Sequence, residues 1–452
     1  MNTRTDNGSL LTRLGLRTSE QRAWAMYDWA NSAMVTVIVA SVFPIFFSTY
    51  AAAGLTAESA TFRYSLFTSI GLAIIALLAP FLGAIADHSA IKKQMLGSFL
   101  AIGVAAVGMM YFIGQGDWVF AAILFVLANI GANGSFVFYD SLLPHVAGPD
   151  EIDRVSTSGY ALGYIGGGLL LAGALLLMLN PGWFGLPAGD GLSPEQSSLP
   201  ARISFVGVAA WWAFFSIPLF RTVHEPDSNR ADTHDSGLPV WRVALSRLSR
   251  TFHNLRCYRN AFIMLLAFLV YNDGIGTIIR MAVIYGSEIG IGRGALIGAI
   301  LMVQFVGIPF AFLSGILARR IGAKRAILAG IGVYCMISIL GYFMTSAFHF
   351  FLLAGLVGMV QGGTQALSRS LFGSMIPPRR SAEYFGFFAV CEKFAGIFGP
   401  AVFALMIAVT GSSRSAILSV IAFFAAGAVL LLMVDVEEGQ RAAADAEHPP
   451  PG

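Results

Sequence analysis

The sequence predicts an all-α integral membrane protein: twelve transmembrane helices in two pseudo-symmetric halves of six. Three observations predict it. Of 452 residues, 56% are hydrophobic and only 12% charged, where soluble proteins carry about 25% charged residues; the mean hydropathy of +0.72 agrees. Apolar stretches long enough to cross about 30 Å of hydrocarbon recur along the whole chain. Lys and Arg gather in alternate connecting segments.

In chain order the expected spans are 24–52, 64–86, 94–114, 118–146, 155–179 and 202–221, then 260–287, 294–318, 324–345, 349–376, 383–410 and 414–435. The polar, basic residues 1–23 form a cytoplasmic tail. The apolar stretch after them is too long for a signal-peptide core and no small-residue cleavage site is obvious, so span 1 is read as retained. Residues 24–221 make the N-terminal half and 260–435 the C-terminal half. The cytoplasmic linker 222–259 separates them and ends in an amphipathic pattern, Trp241, Leu245, Leu248, Phe252 and Leu255. That pattern suits a helix lying on an anionic leaflet or packed on the bundle's inner ends. Residues 436–452 read as a disordered cytoplasmic tail. With both termini cytoplasmic, 21 of the 28 Lys and Arg lie inside and four (Arg63, Arg202, Arg293, Arg414) outside, the asymmetry of a multi-pass protein of the bacterial inner membrane. Three thinly spread cysteines give neither a disulfide framework nor metal-ligand spacing, and no cofactor is expected.

Polar residues inside spans need a reason, because an unsatisfied polar group costs several kcal/mol in hydrocarbon. Span 1 carries Asp28, Asn31 and Ser32 on one helical face, facing either a wet cavity or a hydrated helix end. Span 4 carries Asn129, Asn133, Tyr139 and Asp140; span 7 carries Tyr271, Asn272, Asp273 and Arg280; span 10 carries Gln361, Thr364, Gln365, Ser368 and Arg369; span 11 adds Glu392 and Lys393. These residues are candidates for substrate contact and proton coupling. The competing reading of the inner charges is a set of interhelical ion pairs that latch a gate. Asp273, near mid-depth, is expected to bind substrate or a proton, with Gln365 and Arg369 as its protein partners. The triplet Gly166-Gly167-Gly168 reads as a close-packing site.

An internal repeat links the halves. Gly83-Ala-Ile-Ala-Asp87-His-Ser-Ala-Ile-Lys92-Lys93 follows span 2, and Gly315-Ile-Leu-Ala-Arg319-Arg-Ile-Gly322-Ala-Lys324-Arg325 follows span 8. They align without gaps, as parallel repeats of a two-half transporter do. The loop resembles the cytoplasmic motif of the major facilitator superfamily, with Ala90 replacing the second glycine of the first copy and Arg319 the acid of the second. The resemblance implies that these loops gate the inner face, and that spans 1, 4, 7 and 10 line a central cavity.

Longer stretches narrow the resemblance: Tyr27-Asp-Trp-Ala-Asn-Ser32, Phe138-Tyr-Asp-Ser-Leu-Leu-Pro144, Ser158-Gly-Tyr-Ala-Leu-Gly-Tyr164, Tyr271-Asn-Asp-Gly274 and Gln361-Gly-Gly-Thr-Gln-Ala-Leu-Ser-Arg-Ser370. They are similar to the vacuolar effluxer family, the autophagy-related amino-acid exporters of fungal vacuoles, and its bacterial relatives. The resemblance implies a secondary transporter working by alternating access, exporting amino acids or similar small polar solutes. Proton coupling through Asp28, Asp140 or Asp273 is the economical expectation, because a carboxylate in a drying cavity holds its proton more readily. The expected partners are a small-molecule substrate, the proton and membrane lipid, with no nucleic acid and a monomeric state. No phosphate-binding loop points to ATP drive. His88, His145 and His349 share no helix face with a nucleophile or acid, so an enzyme is not expected; the remaining rival is a non-transporting receptor or scaffold.

Overall fold

The protein is described by a computed structural model covering residues 15–189, 191–225, 258–288, 291, 293–394, 398–410 and 413–447. Within these residues it is entirely helical. The helices are α1 (Ser19–Ala51), α2 (Ala57–Ser89), α3 (Lys92–Phe112), α4 (Trp118–Val146), α5 (Ile152–Leu179) and α6 (Pro194–Thr222). The second half has α7 (Arg259–Glu288), α8 (Arg293–Ile321), α9 (Ala323–Tyr342), α10 (Ala347–Ser374), α11 (Ser381–Phe394), α12 (Phe398–Thr410), α13 (Ser413–Leu432) and α14 (Val436–Glu447). Ten helices among the described residues are long and apolar enough to cross a membrane. The other two expected spans correspond to α2 and to the pair α11 and α12, between which residues 395–397 lie outside the described residues. The amphipathic linker pattern lies outside the described residues.

Local chemistry starts these helices. Thr18 and Gln21 form a reciprocal capping box before α1, Ser193 and Gln196 another before α6, and the Thr56 and Ser346 hydroxyls cap α2 and α10. From Met34 to Val42, and again from Phe47 to Ala51, α1 is wound as a π-helix. Such winding is rare beyond single turns and is frequent at functional sites.

Three hydrophobic clusters hold the halves. One runs from Leu16 to Val223 and takes in Ala382; the other two lie within residues 261–434, the smaller made of Ile291, Leu296, Ala299, Met344 and Phe350. Leu77, Phe112, Phe214, Leu405, Val409 and Leu432 point outward from the bundle, an apolar surface that only lipid solvates comfortably. Inside the first half α5 lies tightly on α1. A Cβ on Gly163 would come within 2.5 Å of Ser32 Oγ, and one on Gly166 within 2.4 Å of the Trp29 carbonyl, so small residues set this contact.

Both repeated loops turn at the matched position, with different backbone angles: ψ is 52° at Ala90 and 149° at Gly322. Gly322 opens α9 at φ 87°, and the matching Ala90 sits at φ 50°, the one non-glycine residue with positive φ among those described. The glycine missing from the first copy is thus replaced by an alanine held in a left-handed conformation. The basic residues cap helix ends: Lys93 Nζ donates to the Phe220 and Val223 carbonyls at the end of α6, and Lys324 Nζ to those of Leu432 and Val434 at the end of α13. Gly83 lies against the Ala382 backbone, where a Cβ would meet its carbonyl oxygen at 2.3 Å, and Gly315 against Thr157 Oγ1, also at 2.3 Å. Each glycine therefore brings a helix of one half onto a helix of the other. The Asp87 side chain lies outside the described residues.

The expected disordered tail is helical over 436–447. Asp435 caps α14 by accepting from the Glu438 amide at 3.0 Å, Asn260 donates to Glu438 at 2.9 Å, and Gln440 donates to Ser374 at 3.2 Å. Gly439 sits on Met375 and Ala443 is buried. The segment is too polar to read as ordered, but Gly439 and Ala443, one helical turn apart, are turned inward.

Candidate functional site

A cavity of about 290 Å³ lies between the halves. Span 1 supplies Asp28, Ser32, Val35 and Thr36; α4 supplies Asn133, Phe136 and Asp140; α7 supplies Phe268 and Asn272; α10 supplies Gln361, Gln365 and Arg369. These four helices are the ones expected. Three more contribute: α5 with Tyr160, Gly163 and Tyr164, α8 with Gln304, and α11 with Phe388 and Glu392.

Arg369 forms the floor. It is 2% exposed and every nitrogen of its guanidinium is engaged. Nη1 donates to Asp140 Oδ1 at 3.0 Å and Nη2 to Asp28 Oδ2 at 3.3 Å. Nε donates to Ser156 Oγ and Nη2 also to the Ser156 carbonyl, both at 3.0 Å. Tyr139 adds a phenol bond to Asp28 Oδ2 at 2.8 Å. The guanidinium lies 4.6 Å from the Tyr160 ring and 4.9 Å from Trp24, a cation–π cage. Trp24 in turn stacks on Tyr139 at 4.4 Å. One cation on the C-terminal half thus clasps two carboxylates of the N-terminal half. A buried bridge of this kind contributes little net stability but costs about 3–5 kcal/mol to break one-sidedly.

Further latches lie below Arg369, on the side of the bundle that carries Ser19 and Glu447. Ser370 donates to Asp153, Ser156 to the Ala366 carbonyl, and Ser381 to the Ser141 carbonyl. Buried Lys92 donates to Ser381 Oγ at 2.8 Å and lies 3.1 Å from His145 Nε2. On the other side of the cavity the described inter-half hydrogen bond is Gln304 to Thr36 at 3.1 Å, made to the π-wound part of α1. The molecule is therefore closed on the terminal side.

The sequence-predicted span residues divide into four groups. Asp28, Asn133, Asp140, Asn272, Gln361, Gln365, Arg369 and Glu392 line the cavity. Asn31, Tyr139, Tyr271 and Ser368 are buried behind it: Asn31 donates to Ser135 at 3.3 Å, and Tyr271 bonds Ser368 within the C-terminal half. Arg280 and Lys393 lie outside the described side chains. Asp273 is placed differently from expectation. Its Oδ2 accepts the Gly399 amide at 2.9 Å, at the start of α12, and a Cβ on Gly399 would crowd Asp273 and Thr277. It faces α12, away from the cavity lining and from Gln365 and Arg369. Of the loop residues, Gly83, Lys92 and Gly315 make inter-half contacts. Lys93 and Lys324 cap helix ends, Gly322 makes the turn, and Arg319 and Arg325 line surface grooves.

Ser32, read from the sequence on the same face as Asp28, also lines the cavity, whereas sequence reasoning passed over Thr36, Phe136, Tyr160, Tyr164, Phe268, Gln304 and Phe388. Tyr160 and Tyr164 were findable: they are four apart, beside glycines that press α5 onto α1. Gln304, a lone amide in an apolar span, was the other available signal.

The family model for vacuole effluxer Atg22-like proteins matches residues 53–153 and 149–444. The MFS-type transporter YxiO of Bacillus subtilis is 36% identical over 423 residues, covering 93% of this chain and 96% of YxiO. Autophagy-related protein 22-1 of Neosartorya fischeri is 24% identical over 524 residues, covering 94% and 81%. Among solved structures, the major facilitator transporter FucP in its outward conformation superposes with a TM-score of 0.68 at 15% identity, covering 94% of this chain and all of FucP. A bacterial homologue of the iron transporter ferroportin, outward-facing, gives 0.63 at 13% identity over 92% and 98%. At such identities the structural likeness shows the fold.

Proposed function

The chain belongs to the Atg22-like vacuole effluxer family, a branch of the major facilitator superfamily of multi-pass membrane transporters, and we propose that it exports small polar solutes in exchange for protons. The observation that carries the reading is Arg369 clasped by Asp28 and Asp140 at the floor of a polar cavity between the halves. With both carboxylates ionised the clasp holds the terminal side shut. A proton reaching Asp140 from the cavity turns one arm of the bridge into a weaker neutral contact. Asp140 is the more accessible acid, its side chain 14% exposed against 6% for Asp28. The halves then rock apart at the latches formed by Ser156, Ser370 and Ser381, and the solute exchanges with the terminal side. Loss of the proton to that side restores the clasp.

The basic-residue distribution supports a cytoplasmic terminal side in the bacterial inner membrane, and export from that side is the proposed direction. Amino acids enter as the class that the family resemblance implies. Counterflow in proteoliposomes, with and without an imposed pH gradient, tests the reading with separate labelled pools of amino acids, pentoses, hexoses and hexitols. Gradient-stimulated movement of one pool is expected. Counterflow insensitive to the gradient in every pool refutes proton coupling, and absence of all flux refutes transport of this solute class.

A further inference from the structure

The cavity's charged and neutral groups are in different states. Four of the five N–H bonds of Arg369 are committed to Asp28, Asp140 and Ser156. A substrate carboxylate must share the remaining one beside two carboxylates already in place. Like charges that close disfavour an anion strongly. The neutral groups are uncommitted. Ser32, Tyr160, Tyr164, Asn272, Gln361 and Gln365 all line the cavity, and none of them hydrogen-bonds the protein among the described residues. Asn272 is 8% exposed, an amide buried against the cavity with nothing but the cavity to satisfy it.

Three amides and three hydroxyls each offer both a donor and an acceptor. Their natural complement is a solute whose own groups donate and accept at once, which is the property of a hydroxyl. Phe136, Phe268 and Phe388 stand between them and provide apolar faces for the C–H side of a ring or chain. The volume, about 290 Å³, is at the small end for ligand sites. We propose that the transported solute is a neutral polyhydroxylated molecule of monosaccharide or hexitol size, held by Asn272, Gln361, Gln365, Tyr160 and Tyr164. This rests on the transport reading above and narrows its solute class away from the amino acids.

The test uses the full chain in lipid nanodiscs, with thermal unfolding read against D-xylose, D-glucose, D-mannitol and myo-inositol, and against L-leucine, L-glutamine, L-lysine and L-glutamate, all at equal millimolar concentration. At least one polyol is expected to raise Tm by about 2 °C or more, with no amino acid doing so. Gln365→Leu and Asn272→Leu should each remove most of that shift while leaving the unliganded Tm in place. In the unmodified protein, a deoxy analogue of the active polyol should bind about five- to tenfold more weakly, a readout that does not depend on any variant folding. Stabilisation by an amino acid but by no polyol overturns the proposal, as does a panel in which no polyol acts. Gradient-driven flux of amino acids sinks this proposal and leaves the transport reading standing. Polyol binding without gradient sensitivity sinks the proton coupling alone.

Discussion

Removing the clasp should open the terminal side. Arg369→Met keeps most of the side-chain volume and deletes four hydrogen bonds, two of them to carboxylates at 3.0 and 3.3 Å. In the closed state it leaves Asp28 and Asp140 facing each other in a site where Arg369 was 2% exposed. Breaking a buried bridge from one side costs about 3–5 kcal/mol, which is about a 150- to 4000-fold shift in the equilibrium between closed and open terminal sides. Asp140→Asn keeps the shape and loses one charge, so a smaller shift, about 10- to 100-fold, is expected from the loss of one charge-assisted bond. The assay is a cysteine at Ser32, on the cavity wall, in a background where Cys257, Cys335 and Cys391 are serine. An impermeant thiol reagent applied to the terminal side should label it slowly in the parent and much faster with Arg369→Met, with Asp140→Asn between. Equal labelling rates in all three would show that the Arg369 bridge does not hold the gate, and the energetic reasoning would fail with it.

Three other predictions follow from single contacts. Ala90→Gly relieves a left-handed alanine at φ 50° and should raise Tm by about 2–4 °C, the equivalent of about 1 kcal/mol; a lowered Tm would mean that the turn is not strained. Gly83→Val places carbon inside contact distance of the Ala382 carbonyl and should speed terminal-side labelling of the Ser32 cysteine, whereas unchanged labelling would remove α2 from the gate. Asp273→Asn keeps a carbonyl acceptor for the Gly399 amide but loses the charge that strengthens that bond, so it should lower stability by about 1 kcal/mol while gradient-driven transport persists; abolished coupling at unchanged stability would return Asp273 to the proton pathway.

Much of this molecule is legible in its sequence because the membrane restricts the answers. Twenty apolar residues without charge can be little other than a spanning helix, and a polar side chain among them must face protein or water. That logic found Asp28, Asn133, Asp140, Asn272, Gln361, Gln365 and Arg369, all of which line one cavity. It failed for Asp273 because depth along a helix says nothing about azimuth. Asn272 and Asp273 are neighbours about 100° apart on the helix; one meets the cavity and the other the start of α12. It also missed Tyr160 and Tyr164, since a tyrosine in a span reads equally well as core. The helix at 436–447 escaped because composition reports mean polarity, whereas order there comes from one capping aspartate, the side-chain bonds of Asn260 and Gln440, and the inward Gly439 and Ala443. The π-winding of α1 left no mark in the hydropathy.

The central claim is that protons are coupled to solute through the carboxylates that hold Arg369. It is tested most directly by proteoliposomes that trap a pH-sensitive dye, carrying the parent, Asp28→Asn or Asp140→Asn protein and loaded with whichever polyol or amino-acid pool shows counterflow. The account predicts solute-dependent proton movement in the parent, its loss in Asp140→Asn, and retained solute exchange in that variant. Proton movement at the parental rate in both Asp28→Asn and Asp140→Asn would contradict it.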